Sequence, residues 1–196
     1  MNEIWVQGAK VRFRPIGPED AGLVVRWRNS DEGRTNYFEQ IVVTPDSHLS
    51  FLSKRAPHDL VWVVEKVTAI WDGSDSFFEP AIGIQSLKVD INRRCAEDGR
   101  TFIKPEYRGQ GLAIETELLF TWYAFEVLNL DYIWAEIFVH NEPIRKLHVD
   151  RLGWEIYGTD VPGHTNVSGS VHLIHLPRAV WFDKLRGLAI ERGWSL

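Results

Sequence analysis

The sequence predicts an α/β or α+β domain built on a mixed β-sheet. Two observations carry this prediction: runs of strand length, rich in Val, Ile and aromatic residues, recur along the chain, and capped amphipathic segments lie between them. Their order is one strand, two helices, about three strands, a helix, a strand, a helix and further strands. Residues 1–196 contain no internal repeat, low-complexity run or change of composition, so we expect a single domain.

The first third of the chain is predicted to contain a strand, two helices and a buried strand. Val11 and Phe13 alternate with arginines, which is the period of a half-buried strand. Segment 18–29 opens with proline and two acidic residues, a pattern that favours a helix start. Thr44 is placed to cap a second short helix. The continuous apolar run at 59–66 indicates a strand covered on both faces.

The middle of the chain is predicted to hold a hairpin and the longest helix. Turn residues mixed with aromatic residues at 71–80 indicate an enlarged hairpin loop. Segment 81–91 alternates as a strand does, 92–99 reads as a turn, and 100–103 closes a further strand. A glycine turn follows, and then the helical pattern of segment 114–128.

The last third is predicted to add three strands and two helices. Segment 130–141 has the Ile, Trp, Phe and Val content of a strand, and 141–154 is a helix that ends at a glycine. Two last strands are expected at 154–158 and 170–176, joined by a Gly- and Ser-rich connection. Segment 176–193 is amphipathic and predicted to be helical.

Composition and charge exclude several classes of protein. A net charge of −5 argues against a general nucleic-acid partner, which needs a basic surface. The single cysteine, Cys95, excludes an intramolecular disulfide and a cysteine-based metal cluster, and we expect no metal. No leader-like N-terminus and no apolar run of about 20 residues is found, so we expect a cytoplasmic protein without a membrane partner. The nine tryptophans indicate a heavily aromatic core, an aromatic-lined pocket, or both.

The stretch KPEYRGQGLA at 104–113 places two glycines and an arginine directly before the long helix. The start of a helix presents backbone N–H groups without intrahelical partners, and Gly109 and Gly111 would let a phosphate approach them closely. Arg108 adds a positive charge. The alternative is a tight turn with no ligand, because pairs of glycines are common in turns. The spacing fits neither a dinucleotide fingerprint nor a Walker loop.

This stretch resembles the R-x-x-G-x-[GA] signature of the GCN5-related N-acetyltransferase (GNAT) superfamily, with Arg108, Gly111 and Ala113 at the defining positions. Segment 141–154 is similar to the family's N-x-x-A-x-x-L-Y-x-x-x-G-F pattern, and the resemblance covers residues 11–181. It implies a mixed, mostly antiparallel sheet of about seven strands, splayed between its two central strands and flanked by about four helices. It also implies an acyltransferase that uses acetyl-coenzyme A (acetyl-CoA) as the acyl donor.

The resemblance implies that the pyrophosphate of the donor binds in the glycine turn and that its pantetheine arm runs between the two central strands. The residues assigned to this role are Phe102, Ile103, Arg108, Gly109, Gln110, Gly111, Leu112, Ala113 and Asn141. Asn141 is also placed to cap the helix that follows it, and the two roles are compatible.

Direct transfer of an acetyl group to an amine requires groups that accept and donate protons. The acceptor ammonium must lose a proton, and Glu97, just before the central strand, and Glu136, within the next strand, are the candidates. Glu136 is equally compatible with a solvent-facing position. Backbone N–H groups near Phe102 and Ile103 would stabilise the oxyanion.

For the departing thiolate the family places a tyrosine after the asparagine, and this chain is one residue longer there. Counting from Asn141 the position falls on His148, and counting back from Gly153 it falls on Val149. We predict that His148 is the proton donor, because its reference pKa of about 6.5 suits that task. A structural role for this histidine is the alternative.

The acceptor site is similar to that of the branch that acetylates nucleotide-linked amino sugars, the pseudaminic acid biosynthesis type. The residues that carry this similarity are Trp27, Arg28, Asn29, Arg34, Phe38 and His48. Trp27 is equally compatible with the core, and the arginines with a solvated surface. The favoured partner is therefore a small-molecule amine, and a homodimer is left open.

Two other functions share the same layout. One is acetylation of the N-terminal amines of ribosomal proteins, and the other is a non-catalytic acyl-CoA-binding or sensor domain.

Overall fold

The computed structural model describes residues 5–37, 41–70, 76–78, 81–162 and 170–195, and its framework is one β-sheet. The strands are β1 (Val6–Gln7), β2 (Val11–Pro15), β3 (Asp59–Ile70), β4 (Ser76–Phe78), β5 (Gly83–Asp90), β6 (Cys95–Ile103), β7 (Tyr132–Phe138), β8 (Glu155–Pro162) and β9 (Ser170–Pro177). Their order is β1-β2-β3-β5-β6-β7-β9-β8, and β4 pairs with β3. Pairing is antiparallel except between β6 and β7, which are parallel. The mixed, mostly antiparallel sheet is confirmed, and the described strands exceed the predicted seven because of the short β1 and β4.

The helices flank this sheet. They are α1 (Ala21–Asn29), α2 (Asp31–Asn36), α3 (Pro45–Lys54), α4 (Leu112–Trp122), α5 (Glu142–Arg145), α6 (Arg178–Val180) and α7 (Arg186–Glu191). Helices α4, α5 and α6 each continue into a π-helical turn, at Tyr123–Val127, Lys146–Arg151 and Trp181–Leu185. Thr44 caps α3 as predicted, and α2 is an unpredicted helix capped by the Ser30 hydroxyl. Within the described ranges, no helix combines the length and apolar character needed to cross a bilayer.

Each face of the sheet carries its own apolar core. Trp62 and Val64 of β3 pack on the side of α4 and the C-terminal helices, in the larger core. Val61 and Val63 of the same strand pack on the opposite side, against α1 and α3. Strand β3 is therefore covered on both faces, as its continuous apolar run predicts.

Two expectations for the middle of the chain need correction. The predicted turn at 92–99 is shorter, because the Asp90 carboxylate accepts hydrogen bonds from the backbone N–H groups of Asn92 and Arg93 and closes it early. Strand β6 then begins at Cys95, so Glu97 lies within the central strand and not before it. Of the loop predicted at 71–80, all but the Ser76–Phe78 strand lies outside the described residues.

The two parallel strands separate part-way along their length. The described β6–β7 ladder runs from the Cys95–Tyr132 pair to the Glu97–Trp134 pair. Beyond it, β6 stays with β5 as far as Ile103, and β7 stays with β9. A bulge at Arg100, whose φ is 53°, bends β6 at this point. The predicted split between the two central strands is thus present, and it creates the candidate site.

Candidate active site

A pocket of about 450 Å³ occupies the split between β6 and β7. Glu97, Trp134 and Glu136 line it, and the strand register places these three side chains on one face of the sheet. Arg28 and Tyr37 line it from the side of α1 and α2. The pocket therefore combines carboxylates, aromatic rings and a guanidinium at the point where the sheet opens.

A larger groove of about 810 Å³ continues from this pocket along the same face. The two cavities share Lys88, Glu97 and Trp134, so they form one continuous surface. Tyr132 and Tyr157 add exposed aromatic rings to the groove. A ligand can thus place a small reactive end in the split and a larger body in the groove.

The carboxylate of Glu97 has a perturbed pKa. Partial burial raises its pKa, and the neighbouring charge of Glu136 acts in the same direction. Lys88, whose Nζ lies 3.8 Å from Oε2 of Glu97, and Arg100 act in the opposite direction. The surface carries two mutually repelling carboxylates, which favours a cationic group between them.

The glycine turn has the geometry that its sequence predicts. Gly109 and Gly111 have φ of 72° and 76°, in the left-handed region that other residues avoid. The first N–H groups of α4 have no intrahelical acceptor, as at the start of any helix. Gly111 is the N-cap of α4, and it has no side chain that could accept their hydrogen bonds. This is the arrangement that receives a phosphate.

The Arg108 side chain is bonded to the end of β6, and its predicted contact with the donor stays a prediction. Its Nε and Nη2 donate to the carbonyl oxygen of Ile103 at 2.9 and 2.6 Å. The guanidinium therefore fixes the turn to the end of β6.

Glu115, one turn into α4, holds the glycine turn from behind. Its buried carboxylate accepts hydrogen bonds from Trp194 Nε1 at 2.6 Å, from Arg192 Nε at 3.0 Å and from two backbone N–H groups near the N-terminus. Arg192 also donates to the carbonyl oxygen of Gly111 at 3.1 Å. Sequence reasoning missed this arrangement, because Arg192 and Glu115 are 77 positions apart.

The edge of β6 that faces the split is open where the donor arm is expected. Lys104 N–H donates to Ile82, on the β5 side. Because successive N–H groups of a strand alternate in direction, Ile103 N–H points into the split and Phe102 N–H points to β5. Of the two predicted oxyanion donors, Ile103 N–H thus faces the split and Phe102 N–H faces β5, and the role of both toward the oxyanion stays a prediction.

Asn141 lines the split pocket and also caps α5. Its Oδ1 accepts from Ile144 N–H at 3.4 Å. The predicted cap is confirmed, and the amide remains beside the pocket where a donor arm would pass.

The residue added to the helix after Asn141 is absorbed by a π-helical turn at Lys146–Arg151. Leu152 N–H donates to Leu147, five residues back, as in a π-helix. This turn rotates His148 into the interior, where the residue is 1% exposed and its ring meets Trp154 edge-on.

Both ring nitrogens of His148 are directed at protein groups. Nδ1 lies 3.1 Å from the carbonyl oxygen of Ile144 and, since a carbonyl only accepts, Nδ1 carries a proton. Nε2 lies 3.2 Å from Glu117 Oε2 and 3.4 Å from Asp98 Oδ2. The role of proton donor to the thiolate stays a prediction for His148, in surroundings that the sequence did not anticipate.

Charge is concentrated in this buried trio. Burial lowers the pKa of His148, but the carboxylates of Glu117 and Asp98 outweigh burial and raise it to about 10. Burial also raises the pKa of Glu117. Sequence reasoning missed Asp98 and Glu117; the available signal was a glutamate inside the apolar pattern of α4.

Among the predicted acceptor residues, Trp27 and Asn29 have structural partners. Trp27 is 7% exposed and stacks on Phe102, with ring centroids 5.8 Å apart. The side-chain amide of Asn29 bonds both backbone groups of Val43. Their contact with an acceptor stays a prediction.

Of the other predicted acceptor residues, only Arg28 is found in the lining of the split pocket among the residues that the structure describes. Arg28 lines the split pocket and lies over the ring of Tyr37, 4.1 Å from its centroid. His48 is buried under Phe51, and Arg34 is exposed on α2. Phe38 lies outside the described residues.

A sheet that splits between two parallel strands, with a glycine turn and helix at the end of one of them, defines the class of acyl-CoA-dependent acetyltransferases. The chain belongs to the GNAT acetyltransferase family: residues 10–155 match the family model described as acetyltransferase (GNAT) domain. It is an acetyltransferase of this type.

Solved structures share the fold at low sequence identity. The spermidine N-acetyltransferase from Vibrio cholerae, in complex with CoA and spermine, has a TM-score of 0.72 and 19% identity over 88% of this chain and 98% of that chain. A GCN5-related N-acetyltransferase from Brucella melitensis has a TM-score of 0.74 and 19% identity over 97% of this chain and 86% of that chain. Among curated proteins, no relative matches the sequence.

Proposed function

We propose that the chain transfers an acetyl group from acetyl-CoA to the primary amine of a small molecule by direct attack. The observation that carries this proposal is the split between β6 and β7, which has the glycine turn at its end and two carboxylates on one face. The favoured acceptor is an amino sugar linked to a nucleotide.

The donor side rests on backbone groups. The pyrophosphate would accept hydrogen bonds from the N–H groups of 109–113, at the positive end of α4. The pantetheine arm would pair with the open edge of β6 as an added strand does, beside Asn141. Ile103 N–H would then donate to the oxygen of the thioester, whose charge grows during attack.

The acceptor side rests on Glu97 and Glu136. Their carboxylates line the split and would bind the ammonium of the acceptor between them. Glu136 would take its proton, directly or through a water molecule, and leave the neutral amine that attack requires. The departing thiolate would take its proton from pocket water rather than from His148, the donor predicted from the sequence, because both ring nitrogens of His148 are directed at protein groups.

The continuous groove supports an acceptor larger than a simple amine. Tyr132, Trp134 and Tyr157 offer rings on which a base can stack. Lys88 and Arg93 line the same groove and offer charge to a diphosphate. A nucleotide-linked amino sugar has both a stacking and an anionic part, whereas a linear polyamine has neither.

A thiol-release assay tests this function. Acetyl-CoA is supplied with separate panels of amino sugar nucleotides, polyamines and peptides with free N-termini. The proposal predicts fastest release with an amino sugar nucleotide. Fastest release with a peptide would favour the ribosomal-protein type, and donor binding without release over all panels would favour the sensor domain.

A homodimer stays a prediction. Measurement of the molecular mass of the protein in solution tests it.

A further inference from the structure

Three polar side chains from three different elements converge in the interior beside the split. Asp98 comes from β6, Glu117 from α4 and His148 from the π-helical turn after α5, and their exposed fractions are 7%, 1% and 1%. One ligand atom from each lies within 4.8 Å of the other two. Among the described atoms, both carboxylate oxygens of Glu117 and Nε2 of His148 have no hydrogen-bond partner. A buried polar atom without a partner costs about 1 to 3 kcal/mol, and more for a charged group, so this cluster requires an explanation.

The surroundings orient two of these groups inward. The hydrogen bond from His148 Nδ1 to the Ile144 carbonyl leaves the lone pair of Nε2, in the neutral ring, directed at the carboxylates. Asp98 Oδ1 accepts from Gln85 Nε2 at 2.7 Å and from the Thr101 hydroxyl at 3.2 Å, while Oδ2 faces His148. In metal sites, hydrogen-bond partners usually hold the far side of each ligating histidine and carboxylate in this way.

Charge and spacing both match a divalent ion. A metal ion bound at Nε2 displaces the proton that His148 holds there in the empty site, so two carboxylates and a neutral imidazole then carry two negative charges. Arg100, on the same strand as Asp98, is bound to Asp59 at 2.8 Å. Zinc bonds nitrogen and carboxylate oxygen at about 2.0 to 2.2 Å, so the edge of its tetrahedron is about 3.4 Å. The distances from His148 Nε2 to Glu117 Oε2 and Asp98 Oδ2 are 3.2 and 3.4 Å.

We propose that Asp98, Glu117 and His148 bind one divalent transition-metal ion, with Zn²⁺ as the favoured ion. The ion joins β6 to the helices on either side of the split and so fixes the walls of the active site. It reaches the cluster from the split pocket, which Asp98 and His148 also line. This metal site does not depend on which acceptor the enzyme uses. It differs from the expectation, drawn from the sequence, that the chain binds no metal.

Metal analysis of the full chain tests this site. The wild-type protein is stripped with a chelator, reloaded with Zn²⁺, freed of excess ion and analysed for zinc and for its melting temperature. We expect about one zinc per chain and a melting temperature above that of the stripped chain, because the ion binds only the folded state. Asp98→Asn and His148→Gln should each lose the zinc and the zinc-dependent rise.

The matched control is Glu155→Gln, which removes an exposed carboxylate 3.0 Å from His175 Nε2. It should keep the zinc of the wild type; zinc lost in this variant and kept in Asp98→Asn would overturn the proposal. If the cluster variants do not fold, X-ray absorption of the zinc-loaded wild type decides, since one histidine with oxygen ligands and no sulfur is expected. A wild-type chain that retains neither Zn²⁺ nor Mn²⁺ yet still releases thiol would refute the metal site and leave the proposed function intact.

Discussion

Glu97 and Trp134 form the last pair of the parallel ladder between β6 and β7, and the sheet opens directly beyond them. Their side chains lie on the same face, at the junction of the split pocket and the larger groove. An acceptor bound along the groove would thus contact Trp134 and place its amine near the carboxylates of Glu97 and Glu136.

Replacing Glu136 with glutamine should slow the reaction more than it weakens binding of the donor. The amide keeps the shape of the side chain but cannot take the proton of the ammonium, so we expect kcat to fall by about 100-fold at neutral pH. The loss should shrink as pH rises and more of the free amine is already neutral. Glu155→Gln serves as the matched control in a thiol-release assay, and an unchanged kcat in Glu136→Gln would remove this carboxylate from the mechanism.

Replacing Gly109 with alanine should weaken donor binding. The left-handed backbone there disfavours any side chain, and a methyl group would stand where the phosphate approaches. We expect the KM for acetyl-CoA to rise about tenfold, equivalent to about 1.4 kcal/mol. Gly187→Ala is the control: its added methyl, like that at Gly109, meets no described atom within 4 Å, and it lies in α7. Equal KM values for the two variants would contradict the role of the turn.

Replacing Asp20 with alanine should destabilise the fold. Asp20 is 3% exposed and accepts two hydrogen bonds from Arg14, at 2.9 and 2.8 Å. Its loss leaves a largely buried guanidinium with Glu65 and the exposed, more distant Glu19 as its acidic partners, at a cost of about 3 kcal/mol in the free energy of unfolding. Asp131→Ala breaks the exposed pair with Arg94 and should cost much less, because solvent screens that pair. Urea unfolding of both variants measures how much unfolding free energy each one loses. Similar losses would refute a stabilising role for the buried Asp20–Arg14 pair.

His48 should make the fold sensitive to mild acid. Burial lowers its pKa, Asp20 raises it and Arg28 lowers it further, and the net shift is downward. The unfolded chain, with a pKa of about 6.5, then binds more protons than the folded chain as pH falls below that value. The stability contributed by neutral His48 is therefore present above about pH 6.5 and is lost on acidification.

The matching variant is His48→Gln, whose side chain does not titrate. The difference in unfolding free energy between wild type and variant should change in favour of the variant as pH falls from about 7 to about 5. A difference that is constant with pH would show that His48 does not titrate in this way.

Local patterns in the sequence were sufficient for the features that depend on local backbone geometry. The alternation of Val11 and Phe13 predicted β2, and Gly109 and Gly111 both have the left-handed conformation that the turn requires. Asn141 caps its helix as expected from its position before Glu142 and Pro143. Each of these features is decided by residues within a few positions of one another.

Features that depend on distant residues could not be predicted in this way. Asp98, Glu117 and His148 meet only after three elements have packed, and the π-helical turn that directs His148 inward breaks the period on which helix patterns rest. Trp27 shows a different limit: a large apolar side chain on a helix suits a pocket or a core equally, and its stacking on Phe102 of a distant strand leaves no signal in the helix pattern.

Calorimetric titration of acetyl-CoA into the wild-type chain, with Gly109→Ala measured alongside, tests the central claim most directly. The account predicts one donor molecule bound per chain, with affinity reduced about tenfold in the variant. Absence of binding to the wild type, or equal affinity in the two proteins, would contradict the assignment of the glycine turn as the donor site.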